Sequence, residues 1–134
     1  MARVSRRERR GRVRRGSIPL VAHGLIEYGA AVLFIASPFL FGFDSDGPKV
    51  LAALVGAALL VLAVVTDAPT GLARSLPLDS HIVLDYALGV FLIASPFVFG
   101  FTDDSPAFAF FVVLGLAHLL VTVMTRFRGP PQAS

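Results

Sequence analysis

Two pairs of ionisable residues stand four positions apart within apolar surroundings: His23 with Glu27, and His81 with Asp85. On an α-helix that spacing puts both members on one face, with Cβ atoms about 5–6 Å apart. An imidazole beside a carboxylate supports three kinds of chemistry. The pair can make polar bonds that fix helix register, it can relay a proton, or two such pairs that meet can ligate a divalent ion such as zinc. A carboxylate in an apolar helix is a functional candidate wherever local partners leave it unsatisfied. Little else in the chain competes. It has no cysteine, no phosphate-binding glycine loop and no clustered Ser/His/Asp set outside the apolar runs. The expectation is a protein that is not an enzyme, with no cofactor and no resident metal.

The elements that must position these residues follow from composition. Of 134 residues, 55% are hydrophobic and only 16% charged, and the mean hydropathy is +0.76. A soluble domain would be about 25% charged. One bilayer-crossing helix takes about 20 apolar residues, and four such runs fit: about Pro19 to Phe41, Pro48 to Val65, Ser80 to Phe99 and Pro106 to Thr125. The lack of cysteine excludes a secreted disulfide scaffold, and the apolar content excludes intrinsic disorder. The first apolar run is too long for a signal peptide and is read as a retained helix. Glu27 then falls near one edge of the hydrocarbon, with Tyr28 and Tyr86 at interfacial depth.

The chain also repeats itself. His23 to Tyr28 returns as His81 to Tyr86, and Ile35-Ala-Ser-Pro-Phe39 returns as Ile93-Ala-Ser-Pro-Phe97, each followed by x-Phe-Gly-Phe. Asp46 and Pro48 match Asp104 and Pro106 at the same offset, without gaps. The fold class expected is all-α: a polytopic membrane protein of four transmembrane helices, built as two tandem helical hairpins. Repeat one covers about 20–67 and repeat two about 78–125. Together they form a domain over 18–127, between a basic tail at 1–17 and a disordered tail at 128–134. Each repeat holds two spans, so the repeats run the same way and are related about the membrane normal.

These motifs resemble the SPW-repeat integral membrane proteins, small and mostly bacterial. The likeness extends over nearly all of 20–125, including Thr66-Asp67, Leu76-Pro77 and His81 with Asp85. It implies a four-helix domain of the inner membrane and carries no established activity. The signature residues are Ser37, Pro38, Phe39 and Ser95, Pro96, Phe97, with phenylalanine where the family name places tryptophan. Their expected role is structural. Each proline removes a helix hydrogen bond, a serine hydroxyl can satisfy a freed carbonyl, and a kink or helix end follows, leading into an aromatic belt. His118, whose counterpart at the repeat offset is Leu60, is expected to bond a neighbouring helix. Ala52, Ala53, Gly56 and Ala57 favour close helix packing, within one chain or between copies.

Charge sets orientation. Eight arginines fall in the first fifteen residues, Arg126 and Arg128 near the other end and Arg74 between the repeats, against Lys49 alone on the opposite side. Both termini are therefore expected on the cytoplasmic face of the plasma membrane. The arginine tail is expected to hold anionic lipid headgroups rather than nucleic acid. Other expected partners are the bilayer and a second copy or another membrane protein. The leading function is structural or partner-binding. The alternative is a proton-coupled small-molecule or ion transporter using the His23/Glu27 and His81/Asp85 pairs.

Overall fold

The computed structural model describes residues 16–128. The eight N-terminal arginines and the tail beyond Arg128 lie outside the described residues. Four long helices follow one another: α1 (Leu20–Phe41), α2 (Asp46–Val65), α3 (Leu78–Val98) and α4 (Ser105–Met124). At about 1.5 Å per residue each matches the roughly 30 Å hydrocarbon thickness. Only a helix satisfies its own backbone there, and each of the four is apolar enough to span. Their outward faces carry bare aliphatic side chains, among them Leu25, Val32, Leu54, Val90, Val113 and Leu120, as lipid contact requires. The protein is an all-α, multi-pass membrane protein.

Each repeat forms a hairpin, α1 along α2 and α3 along α4, and α4 also reaches α1. Gly42 and Gly100 end α1 and α3 with φ of 64° and 69°. In that left-handed geometry the amides of Phe43 and Phe101 reach back to the carbonyls of Pro38 and Pro96, at 3.2 and 2.9 Å. The turn folds Phe43 and Phe101 inward. There they join Phe34, Phe110, Phe111, Leu59 and Leu92 in the core. The Phe34–Phe110 and Phe101–Phe111 rings meet edge-on, 5.0 and 5.1 Å between centroids.

Both signature prolines lie inside their helices. Helix α1 continues three residues past Pro38, and α3 two past Pro96, before ending. Ser37 Oγ donates to Phe34 O at 2.8 Å, the carbonyl that Pro38 deprives of its usual partner. Ser95 Oγ instead donates to Phe91 O, one residue before the carbonyl Pro96 frees. Phe39 and Phe97 point outward.

The repeat is not gapless. Ile35 and Ile93, 58 positions apart, face Gly56 and Gly115, which are 59 apart. One extra residue therefore lies in the second interhelical turn. The structural counterpart of His118 is buried Leu59 rather than Leu60. The turn also breaks the Asp46/Asp104 likeness. Asp46 is exposed, whereas buried Asp104 caps α4 by accepting from Ala107 N, and accepts from Asp44 N and Ser45 N of the first turn. Of the small residues on α2, Ala52 and Gly56 are buried and Ala53 and Ala57 exposed, so the close contact is with α1 of the same chain.

Two very short strands, outside the all-helical expectation, close the end opposite the interhelical turns. Strand β1 (Ile18–Pro19) pairs in parallel with β2 (Thr125–Arg126), Ile18 opposite Thr125. A single bridge joins Thr66 to Leu76 in the same sense. Leu76 is the repeat counterpart of Ile18, so the residues preceding each repeat's first helix pair with the end of the other repeat's last.

Candidate functional site

The inward face of α1 is the stripe His23, Gly24, Glu27, Ala31, Phe34, Ser37; that of α3 is His81, Asp85, Gly89, Leu92, Ser95, Pro96. The spacing of three and four residues keeps each stripe on one side of its helix. Because the two helices run parallel and face each other, both histidine–acid pairs arrive at one depth, at the end that carries the β1–β2 pairing. The His23 and His81 rings stand 5.7 Å apart, nearly perpendicular.

Asp85 is fully buried and sits at the centre. Its Oδ2 lies 3.1 Å from His23 Nε2 and 3.0 Å from His81 Nε2, and its Oδ1 lies 3.4 Å from His118 Nε2. Every histidine of the chain thus converges on one carboxylate. Glu27, also buried, approaches His81 Nε2 at 3.5 Å through Oε2. The two pairs are joined crosswise, His23 of repeat one meeting Asp85 and His81 of repeat two meeting Glu27, while along a helix His81 meets Asp85.

Threonines hold the far side of both rings. Thr125 Oγ1 is 2.9 Å from His23 Nδ1, and Thr66 Oγ1 is 2.6 Å from His81 Nδ1. Each hydroxyl also lies 2.6 Å from the carbonyl four residues back, that of Val121 or Leu62. Two oxygens that close share a proton, and the carbonyl has none, so each hydroxyl proton is committed there. Each hydroxyl must then accept from Nδ1–H. That assigns the Nδ1 proton on both rings and turns both Nε2 atoms toward the carboxylates.

The remaining polar capacity of the cluster is open. Among the described residues, His23 Nε2, His118 Nε2, Glu27 Oε1 and both Asp85 carboxylate oxygens make no well-formed hydrogen bond. His23, Glu27 and His81 each offer a ligand-type atom within 4.8 Å of the others. A crevice of about 80 Å³ between α1 and α4 is lined by His23, Glu27 and His118 at one end and by Ala30, Phe34 and Leu114 beyond. Tyr28 stands outside the cluster and donates to Thr70 O at 3.0 Å. The Ser37 and Ser95 steps lie several turns away and take no part in it.

Three participants were not singled out as site residues from the sequence: His118, Thr66 and Thr125. The threonines become a matched pair only once the extra residue in the second turn is allowed. His118 has an apolar counterpart, and no repeat argument points to it.

No curated protein and no solved structure matches the chain significantly. The SPW repeat domain matches residues 21–125, the whole four-helix region and the cluster within it. The chain belongs to the SPW repeat family of small membrane proteins.

Proposed function

We propose that the protein is a structural or partner-binding module of the cell membrane, in which the histidine–carboxylate cluster fastens the two hairpins to each other. The observation that carries this reading is the exchange of partners: His23 and His81 each bond the threonine that ends the other repeat's last helix. Joining parallel helices without a hydrophobic driving force takes packing and interhelical polar bonds, and the cluster supplies the polar part at one end. No enzymatic reaction belongs to this reading. The test is Glu27→Gln/Asp85→Asn in detergent. The expected result is a lower melting temperature or an altered assembly state. Unchanged stability and unchanged size would overturn it.

The cluster end is assigned to the cytoplasm. Arg74, Arg126 and Arg128 lie at that end and Lys49 at the other, the asymmetry that sets membrane orientation. The arginine tail would then lie against anionic headgroups. Because the chain has no cysteine, a single cysteine at Ser17 or at Ser45 reports its own side in intact cells. Impermeant label should reach Ser45→Cys only.

A second reading, proton-coupled transport, is favoured by the crevice that reaches His23, Glu27 and His118 from between α1 and α4. Its test is proton and cation flux in proteoliposomes, with the same double variant as control. Flux above empty vesicles that disappears in the folded variant would replace the structural reading.

A further inference from the structure

We propose that the cluster is a binding site for one divalent transition-metal ion of the zinc class, with His23, His81 and Glu27 as ligands and the Asp85 carboxylate beside them as the second compensating charge. The proton inventory motivates it. Both Nδ1 atoms carry their protons toward threonine, so in the neutral rings both Nε2 atoms present lone pairs. Those lone pairs stand 3.1 and 3.0 Å from one carboxylate oxygen, among buried side chains. Lone pairs do not face a carboxylate at that distance without positive charge between them. Two neutral imidazoles and two carboxylates carry two negative charges, which a single divalent ion neutralises. Buried charge left uncompensated would be strongly destabilising.

The geometry fits the same occupant. Metal–ligand bonds of about 2.0–2.2 Å in a tetrahedron separate the ligand atoms by roughly 3.3–3.5 Å. Within the ligand set His81 Nε2 and Glu27 Oε2 stand 3.5 Å apart, and the three ligand atoms of His23, Glu27 and His81 lie within 4.8 Å of one another, close enough for a small adjustment of side chains to bring them onto one ion. Glu27 Oε1 and both Asp85 oxygens have no competing hydrogen bond among the described residues. A void of about 10 Å³, the size of a single small occupant, is bordered by His23, Glu27, His81 and Thr66. Hydroxyls that hold Nδ1–H and free Nε2 are the outer-shell arrangement that orients histidine ligands. Imidazole with carboxylate selects zinc and its neighbours over calcium or magnesium, which prefer all-oxygen sets. This inference is independent of the fastening role, since a site can bind metal whether or not it limits stability.

The experiment uses the full chain in detergent, freed of any polyhistidine tag and stripped with chelator, then titrated with Zn²⁺ by calorimetry and with Co²⁺ by visible absorption. The expected result is one Zn²⁺ per chain, ligand-field bands of a low-coordinate Co²⁺ site, and a rise in melting temperature on Zn²⁺ addition. Glu27→Gln should lose binding, and Thr66→Val should weaken it about 10–100-fold through the outer shell. Asp46→Asn, exposed at the opposite end of the bundle, should leave the stoichiometry at one. Folded wild type that takes up no Zn²⁺ and gives no Co²⁺ bands would overturn the proposal and leave protons as the positive charge. So would Mg²⁺ binding as tight as Zn²⁺, wild-type affinity in Glu27→Gln, or loss of binding in Asp46→Asn. Should Glu27→Gln not fold, wild-type affinity in Thr66→Val, or no thermal shift of wild type with Zn²⁺, would overturn it equally.

Discussion

His23 Nδ1 and Thr125 Oγ1 stand 2.9 Å apart, although 102 residues separate them in the chain. Thr125 is the residue at which α4 ends, and His23 lies in the first turn of α1, so this bond ties the start of the four-helix region to its end. Replacing Thr125 with valine keeps the shape and removes the acceptor, leaving a buried N–H without a partner. The expected loss is about 1–3 kcal/mol. Thr125→Ser retains the hydroxyl and should recover most of it. Chemical or thermal unfolding in detergent measures both, and Thr66→Val should mirror Thr125→Val through His81.

Asp104 does at the opposite end what the threonines do near the cluster. Its carboxylate accepts from Ser45 N at 2.8 Å, Asp44 N at 3.0 Å and Ala107 N at 3.3 Å, and so joins the two interhelical turns. In Asp104→Asn one oxygen becomes an amide nitrogen that turns hydrogens toward backbone N–H groups. Hydrogen bonds to a charged acceptor contribute about 1.5–3 kcal/mol each, so the variant should lose on the order of that much. Asp46→Asn, its partner in the sequence repeat, should leave the melting temperature unchanged, because Asp46 is exposed and among the described residues its ion-pair partner is Lys49 at 3.5 Å. Equal effects in the two variants would contradict the broken symmetry of the turns.

The four spans were legible because lipid demands long apolar runs, and the turns because Asp44-Ser-Asp46-Gly47 and Thr102-Asp103-Asp104-Ser105 interrupt those runs. The inward face of each first helix was legible too, since a spacing of four puts His23 over Glu27 and His81 over Asp85. Helical periodicity says which residues share a face, but nothing about how one helix is rotated against another. The meeting of His23 with Asp85 was therefore invisible. One inserted residue hid the threonines. At the uniform offset Thr66 aligns with Met124 and Thr125 with Asp67, and neither looks like a matched pair. The strands Ile18–Pro19 and Thr125–Arg126 are too short for any pattern to announce them.

The close contact inside each hairpin rests on Gly56 and Gly115. A Cβ on Gly56 would stand 2.6 Å from Ile35 Cγ1 and 2.8 Å from Ala31 O; on Gly115 it would stand 2.7 Å from Ile93 Cγ1 and 3.0 Å from Gly89 O. The side chains can turn aside, but the carbonyls belong to the facing helix and cannot. Gly56→Ala should separate α1 from α2 and lower stability by about 1–3 kcal/mol, with Gly115→Ala acting likewise on α3 and α4. Ala53→Leu, on the exposed side of α2, should be tolerated. Unfolding of the three variants side by side checks the assignment of faces.

His118 is the one member of the cluster that breaks the two-fold likeness. Its structural counterpart in repeat one, Leu59, is buried in the core, and the crevice on its own side has His118 in its wall. His118→Leu brings repeat two closer to repeat one. Asp85 keeps His23 and His81 at 3.1 and 3.0 Å, so no buried carboxylate loses all its partners. The added side chain takes up space that the imidazole leaves near Leu114 and Val121. Folding stability should therefore change by no more than about 1.5 kcal/mol, as for a volume-conserving exchange. If the crevice carries a solute, the same substitution should lower its flux while the protein stays folded. A large loss of stability in detergent would instead place His118 among the residues that hold Asp85 in position.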